Sequence, residues 1–298
     1  MTTSVPEHWR DPRLGPTRTV RLSGGTVEYH DRGDGPVLVF VHGYLVNANI
    51  WRELVPLLAD RFRCITPDWP LGSHRVPMHR DADLSPLGIA HVIAELLDAL
   101  ELTDVTLIGN DSGGAYAQLA AAERPERLGR LVLNSCETPW CSWPPSPGGF
   151  GLLKAAAQHA GTHRALYQVL RLPSTWRWRN TYGWLAKYPI DTTVMRSYVR
   201  PVLRDPAIRG DGRKAIAGVS ASYLQSISDR LRHSFSRPVL CAWAADDRVF
   251  PVTHAQRYAR SLGADLRTIA DSYTYTAEDQ PRHTAEVLSG WISSRSAP

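Results

Sequence analysis

One aspartate between two glycines, Asp111 in the run Gly109-Asn110-Asp111-Ser112-Gly113, is the side chain best placed for chemistry. The apolar residues 105–108 predict a buried strand before it, and the alanine-rich sequence after it predicts a helix. A strand that turns directly into a helix presents the residue at the turn at the sheet edge, and flanking glycines avoid a steric clash there. A carboxylate in that position can act as a nucleophile or transfer a proton. The same short pattern alone is also typical of an ordinary turn.

The elements that would position Asp111 alternate between strands and helices. Residues 17–31 alternate in polarity and break at Gly24-Gly25, which predicts an antiparallel hairpin at a sheet edge. Apolar runs predict further strands at residues 36–41, 62–66, 105–108, 130–134, 238–243 and 265–269, and helical spacing predicts helices at 49–60, 84–100, about 112–122, 252–262 and 281–293. This alternation predicts an α/β fold, a mostly parallel sheet with helices on both faces.

The alternation stops after the sixth strand. Residues 143–149 are rich in proline, and short helical stretches crowded with Trp, Tyr and Arg follow. We therefore expect a core of residues 1–136 and 231–298 and a helical lid of residues 137–230. A lid at this point would cover the carboxyl ends of the strands, where ligands bind in such sheets. The insert is also a candidate dimerisation face, so the sequence is compatible with a homodimer.

Composition excludes several classes of function. The 298 residues carry a formal net charge of +5 but no basic run, so we expect no nucleic-acid partner. No apolar run approaches the roughly 18 residues of a membrane span, and residues 1–16 lack the apolar segment of a secretory signal. The four cysteines lack metal-binding spacing, which indicates free thiols in the cytoplasm. We expect a small-molecule substrate, no metal and no organic cofactor.

Several motifs in order resemble the α/β-hydrolase fold family over nearly all of the chain after residue 17, which implies an eight-stranded, mostly parallel sheet with the lid after strand six. The motifs are His42-Gly43, Pro67-Asp68, Gly109-Asn110-Asp111-Ser112-Gly113-Gly114, Pro125-Glu126-Arg127-Leu128 and Trp243-Ala244-Ala245-Asp246-Asp247. With an aspartate at the turn, the chain resembles the branch of the family that contains epoxide hydrolases and haloalkane or fluoroacetate dehalogenases. That branch implies attack of the carboxylate on an alkyl carbon, followed by cleavage of the ester by a His-activated water.

The resemblance implies a role for individual residues. Asp111 would be the nucleophile, and the backbone N–H groups of Tyr44 and Ser112 would form the oxyanion hole. Asp247, four residues after Trp243, would orient the catalytic histidine, with Asp246 as the neighbouring alternative. Residues expected to contact substrate or to shape its pocket are His42, Trp69, Asn110, Trp140 and Thr274, of which His42 also suits a structural imidazole bonded to backbone.

The chain departs from the family pattern at the catalytic histidine. In the family's register that position is Thr274, and no histidine lies between His254 and His283, both on predicted helices. A threonine hydroxyl cannot act as a general base near neutral pH. His74, just past the fourth strand, is the candidate replacement; a loop histidine on the surface is the alternative interpretation.

Two further departures concern the leaving group. Haloalkane dehalogenases commonly carry Trp at the position of Ser112 and a polar halide contact at the position of Tyr44, so dehalogenation is disfavoured. Epoxide opening needs a phenol to protonate the oxirane oxygen. The candidates in the lid are Tyr167, Tyr182, Tyr188, Tyr198 and Tyr223.

Three functions remain open from the sequence. The first is an epoxide-hydrolase-like enzyme acting on a small, largely apolar molecule, with His74 as base. The second is a non-hydrolytic cyclase, isomerase or lyase in which a desolvated Asp111 is the general acid or base. The third is a binder without catalysis. Aromatic walls for the pocket would come from Trp140, Trp143, Trp176, Trp178 and Trp184. Seven lid arginines favour an anionic substrate or simply form solvated helix faces: Arg164, Arg171, Arg177, Arg179, Arg196, Arg200 and Arg204.

Overall fold

Eight strands form one sheet in the computed structural model, which describes residues 9–146 and 150–295. They are β1 (Thr17–Leu22), β2 (Gly25–Arg32), β3 (Val37–Val41), β4 (Arg63–Pro67), β5 (Val105–Asp111), β6 (Leu128–Cys136), β7 (Val239–Ala244) and β8 (Asp265–Ile269). The strand order is β1-β2-β4-β3-β5-β6-β7-β8. β2 is antiparallel to both β1 and β4, and all the other neighbours are parallel. The predicted α/β fold and edge hairpin are confirmed.

The helices lie between the strands and, after β6, in a long insert. They are α1 (Val55–Leu58), α2 (Pro86–Ala99), α3 (Ser112–Glu123), α4 (Gly151–Ala157), α5 (Ala160–Tyr167), α6 (Thr192–Arg204), α7 (Pro206–Ala217), α8 (Ala221–Ser234), α9 (Val252–Leu262), α10 (Thr276–Asp279) and α11 (Pro281–Ser294). Five of them, α4 to α8, follow β6, and we call the segment between β6 and β7 the helical insert. Among the described residues no helix combines the length and apolar character needed to cross a membrane.

The register of the central strands brings three strand ends to one edge. β3 pairs with β5 so that Val41 lies opposite Gly109, and β5 pairs with β6 so that Asp111 lies opposite Cys136. The residues that follow β3, β5 and β6 therefore meet at the carboxyl edge of the sheet, beneath the helical insert.

One predicted helix needs correction. The helix predicted over residues 49–60 is instead a 3-10 turn, Ala48–Trp51, followed by the short helix α1. Pro56 lacks a backbone N–H and suits the first turn of a new helix, which explains the break. The lid boundary at residue 230 stays a prediction; residue 230 lies within helix α8, which packs against α3.

Candidate active site

Asp111 occupies the turn between β5 and α3. Its backbone has φ 53° and ψ −143°, a conformation that costs a non-glycine residue free energy and persists only where the surroundings enforce it. Gly113 allows the close approach, because a Cβ there would lie 2.2 Å from the carbonyl oxygen of Val41. The predicted strand–turn–helix is thus present, with the Asp111 side chain at the sheet edge.

The carboxyl group of Asp111 is held in a nearly dry environment. The residue is only 8% exposed, and burial is the main reason that its pKa rises to about 7. The negative charge of Asp247 raises the pKa further, whereas the backbone N–H of Ser112 donates a hydrogen bond that lowers it. Near neutral pH, Asp111 is therefore able both to accept and to release a proton.

A second buried carboxyl group, Glu137, lies beside Asp111. Glu137 immediately follows β6 and is fully buried, and neither of its carboxyl oxygens has a hydrogen-bond partner among the other described residues. Burial and the charge of Asp111 raise the pKa of Glu137 well above its usual range. Glu137 was not among the site residues predicted from the sequence. The signal was its place directly after the strand next to β5, because carboxyl ends of adjacent parallel strands meet at one edge.

Asp111 and Glu137 share one cavity of about 380 Å³. The helical insert and the turn after β3 supply most of its walls, which are largely aromatic and aliphatic. The lining residues are Tyr44, Leu45, Asp111, Ser112, Glu137, Trp143, Pro144, Pro145, Phe150, Leu152, Leu153, Ala165, Leu166, Tyr167, Val169, Leu170, Trp178, Asn180, Thr181, Tyr182, Leu185 and Ile216. This size and composition suit a small, mostly apolar ligand.

The sequence model of the α/β hydrolase fold matches residues 36–281, most of the chain. The chain belongs to the α/β-hydrolase fold family. An uncharacterized protein of Mycobacterium tuberculosis is 27% identical over 270 residues, covering 86% of this chain and 75% of that protein. Haloalkane dehalogenase 2 of the same organism is 32% identical over 136 residues, covering 42% of this chain and 44% of the dehalogenase.

Solved structures agree on the fold. The crystal structure of a haloalkane dehalogenase from Agrobacterium tumefaciens superimposes with a TM-score of 0.80 at 16% identity, covering 96% of this chain and 100% of that chain. At that identity the likeness shows the α/β-hydrolase fold alone. Activity has to be inferred from the residues of the site.

At the family's histidine position, Thr274 is completely buried and its hydroxyl donates a hydrogen bond of 3.0 Å to Oδ1 of Asp247. The same oxygen accepts backbone N–H bonds from Val249 at 2.9 Å and Phe250 at 2.8 Å. Burial nevertheless raises the pKa of Asp247 to about 6. Asp247 therefore contacts a hydroxyl where the family pattern has an imidazole.

Both backbone donors predicted for the oxyanion hole already have partners. The N–H of Tyr44 donates to the hydroxyl of Ser112 at 2.8 Å, and the N–H of Ser112 bonds the Asp111 carboxyl. An oxyanion would have to displace the Ser112 hydroxyl before Tyr44 could stabilise it.

His42 and Trp69 form hydrogen bonds with backbone groups at this edge of the sheet. His42 is fully buried, its Nδ1 lies 2.9 Å from the carbonyl oxygen of Gly43, and its Nε2 accepts the N–H of Trp69 at 3.0 Å. Burial lowers the pKa of His42 to about 4, so its ring is neutral, with the Nδ1 proton donated to Gly43. The indole of Trp69 donates to the carbonyl oxygen of Phe40. Neither residue lines the cavity.

Asn110 and Trp140 also lie outside the cavity lining. The amide of Asn110 donates to the carbonyl oxygens of Asn134 and Thr274, both at 2.8 Å, and so fixes the Thr274 loop against β6. Trp140 packs edge-on against Tyr258. Their substrate contacts stay predictions, and their observed contacts are structural.

His74 is likewise not among the lining residues. It is buried, and its Nε2 lies 3.1 Å from Oδ2 of Asp211 in the helical insert. That carboxylate also accepts the backbone N–H of Met78 at 2.9 Å. These contacts tie the loop after β4 to α7 and direct His74 to Asp211.

Two of the five candidate tyrosines, Tyr167 and Tyr182, line the cavity. The hydroxyl of Tyr182 donates to the carbonyl oxygen of Leu45 at 2.7 Å, and that of Tyr167 lies 2.6 Å from the hydroxyl of Tyr44 and 2.9 Å from Nε2 of His163. The remaining three candidates, Tyr188, Tyr198 and Tyr223, are not lining residues. Within the described residues no group of three His, Cys, Asp or Glu side chains is arranged to hold a metal ion.

Proposed function

We propose that the protein is an α/β-hydrolase-fold enzyme that transfers protons on a small, largely apolar molecule, catalysing an isomerisation, elimination or cyclisation. Asp111 and Glu137 are the proton-transferring groups, and the helical insert is the lid that excludes water. A single observation carries this proposal. Two buried carboxyl groups, neither with a cationic partner among the described residues, lie in one apolar cavity.

The pair suits acid–base chemistry because its members cannot both be ionised at low cost. Burial and the charge of Asp111 raise the pKa of Glu137 well above its usual range, and burial raises that of Asp111 to about 7, so both carboxyl groups are poised to exchange protons. One carboxyl group can then donate to the substrate as the other accepts from it. The aromatic walls exclude water, and the low dielectric strengthens both interactions.

Covalent hydrolysis has less support. None of the described lining residues is a histidine, and the family's histidine position holds Thr274, which bonds Asp247. The Thr274 hydroxyl cannot act as a general base near neutral pH, and the Asp247 carboxyl bonded to it is not among the described lining residues. Without an imidazole to activate water, we expect an ester on Asp111 to be cleaved slowly.

An epoxide-hydrolase-like reaction is the second candidate function, favoured by a separate observation. Asp111 keeps the strained turn of a nucleophile, and the phenols of Tyr167 and Tyr182 line the same cavity, where they suit protonation of an oxirane oxygen. The two candidates differ in whether Asp111 becomes covalently modified.

One experiment with two readouts separates them. The protein is incubated in D₂O with a panel of apolar cyclic ketones, epoxides, alkyl halides and activated esters. Deuterium entering the small molecules is followed by NMR, and the protein mass is followed by intact-protein mass spectrometry. Wild type is compared with Asp111→Asn, Glu137→Gln and Asp60→Asn, the last an exposed carboxylate that is not among the lining residues.

We expect deuterium uptake or isomerisation of at least one panel member, an unmodified protein mass, and a loss of about 100-fold or more in both Asp111→Asn and Glu137→Gln. Asp60→Asn should match wild type. An adduct that accumulates on Asp111 would overturn the proton-transfer proposal in favour of the epoxide-hydrolase-like reaction. Neither turnover nor adduct across the panel would overturn both and support a non-catalytic binder.

A further inference from the structure

The positive charge of the chain is concentrated in the helical insert. Most of the insert, residues 137–230, contains 13 Lys and Arg but only five Asp and Glu, a formal charge of +8. The rest of the chain, with 21 basic and 24 acidic residues, carries −3. The insert therefore presents a basic surface on a core of slightly negative charge.

Part of this charge surrounds a second depression, which we call the arginine groove. It has a volume of about 430 Å³. Its lining residues are Leu170, Arg171, Pro173, Trp176, Arg196, Val199, Arg200, Leu203 and Arg204. Four guanidinium groups thus border a floor of aliphatic and aromatic side chains.

Helical periodicity explains the arrangement. Arg196, Arg200 and Arg204 follow one another at intervals of four residues on α6, so they share one face with about 6 Å between successive positions. Arg171 ends the 3-10 segment Gln168–Arg171, which packs against α6 and supplies the opposite wall. The indole N–H of Trp176 is already bonded to the carbonyl oxygen of Leu170, leaving the floor apolar.

The guanidinium charges of the groove are largely uncompensated. In residues 9–146 and 150–295 no carboxylate forms an ion pair with Arg171, Arg196 or Arg200. Like charges in so small a volume repel one another, and a bound anion would relieve that repulsion. Guanidinium groups match phosphate oxygens particularly well, because their paired N–H donors bind two oxygens at once.

The groove is distinct from the catalytic cavity. No Arg or Lys is among the described residues that line the cavity with Asp111 and Glu137, whose carboxyl groups would repel an anion. The two depressions share only one wall residue, Leu170. The arginines singled out in the sequence therefore do not select an anionic substrate for the cavity.

We propose that the arginine groove is a second binding site, one that takes an organic phosphate. Its phosphate group binds Arg171 on one wall and Arg196 and Arg200 on the other. Its apolar portion packs on the floor formed by Leu170, Val199 and Leu203. Binding there does not depend on the acid–base role of Asp111.

The test is isothermal titration calorimetry with phenyl phosphate, inorganic phosphate and benzyl alcohol. Phenyl phosphate should bind more tightly than either of the other two, and its affinity should fall as sodium chloride is raised. Arg171→Gln and Arg200→Gln, on separate elements, should each weaken binding about tenfold or more. Arg179→Gln, an exposed arginine of the insert outside the groove, is the matched control and should bind as wild type does.

Each contrary result overturns the proposal. The absence of saturable binding would do so, as would equal losses in Arg179→Gln and Arg200→Gln, which would indicate a diffuse surface effect. Inorganic phosphate binding as tightly as phenyl phosphate would show that the apolar floor has no role. Binding abolished by Asp111→Asn would place the ligand in the catalytic cavity. An acidic helical peptide that binds where phenyl phosphate does not would make the groove a protein-docking surface.

Discussion

The hydroxyl of Thr274 donates to Oδ1 of Asp247 at 3.0 Å, so the acid that would orient a histidine is instead bonded to a threonine. The loop is held in this position by the side-chain amide of Asn110, which donates to the backbone carbonyl oxygen of Thr274. The carboxyl group of Asp247 keeps its place in the fold without the partner that would make it part of a hydrolytic triad.

Replacing Thr274 with Val tests what the hydroxyl does for Asp247. The hydrogen bond from the Thr274 hydroxyl lowers the pKa of Asp247, which is about 6, so Thr274→Val should raise that pKa. The substitution should also lower the free energy of unfolding by about 1 kcal/mol. The loss should be greater at pH 8, where Asp247 is ionised, than at pH 5. Urea unfolding at pH 5 and at pH 8 measures the loss of stability. Thr276→Val, which loses a 3.0 Å bond to Asn134, is the control and should lose equally at both. Equal losses for Thr274→Val at both pH values would contradict the prediction.

The pKa of Asp111 makes a prediction about stability and pH. The pKa of Asp111 is about 7 in the folded state and 3.8 in the unfolded state, so the folded protein keeps the proton to a higher pH. The free energy of unfolding therefore falls as pH rises from about 4 to 7. Asp111→Asn removes this penalty and should be more stable than wild type at pH 8, by up to about 4 kcal/mol. The difference should vanish near pH 4.

Denaturant unfolding across that range, with exposed Asp60→Asn as the control, gives the measurement. Asn is nearly isosteric with Asp, so the substitution adds little further backbone strain at this turn. A stability difference between Asp111→Asn and wild type that does not change with pH would count against a raised pKa.

Ser112 is expected to stabilise the turn after β3 through its contact with Tyr44. Ser112→Ala leaves the buried N–H of Tyr44 without its 2.8 Å acceptor, so the free energy of unfolding should fall by about 1–3 kcal/mol. Ser85→Ala is the comparison, because the Ser85 hydroxyl caps α2 by accepting the backbone N–H of Gly88 and Ser85 is not among the lining residues. Only Ser112→Ala should change ligand binding in the cavity. Unchanged stability in Ser112→Ala would contradict the prediction.

Gly43 leaves room for the reactive carboxyl group. A Cβ at this position would lie 2.1 Å from Oδ2 of Asp111, so Gly43→Ala must displace that side chain. We expect at least a tenfold loss of any Asp111-dependent deuterium exchange, and a destabilisation of about 1–3 kcal/mol. Gly290→Ala in α11 meets nothing within 4 Å and should raise stability by up to about 1 kcal/mol. Full exchange activity in Gly43→Ala would rule this role out.

Much of the fold follows from local sequence patterns. The helix α9 and the strand β8 have the bounds that periodicity predicts, and the strand–turn–helix around Asp111 follows from an apolar run, paired glycines and alanines. These patterns are readable because a strand repeats every two residues and a helix every 3.6, so each element carries its own signal. The failed helix over residues 49–60 shows the limit, since Pro56 breaks a pattern that spacing alone supports.

The departure at Thr274 was also visible in the sequence, because the loop keeps the family's register. What the sequence determined by itself was the α/β-hydrolase fold, the place of Asp111 and the threonine in the histidine's position. Each depends on residues close together in the chain or on motifs in a fixed order.

Only the tertiary structure decided which side chains meet. Glu137 joins Asp111 because β5 and β6 are parallel neighbours, and His74 bonds Asp211, which lies 137 residues further along the chain. The arginine groove needs α6 docked against the Gln168–Arg171 segment. Such contacts depend on the order of strands and the docking of the helical insert, and long-range packing leaves no periodic signal in the sequence.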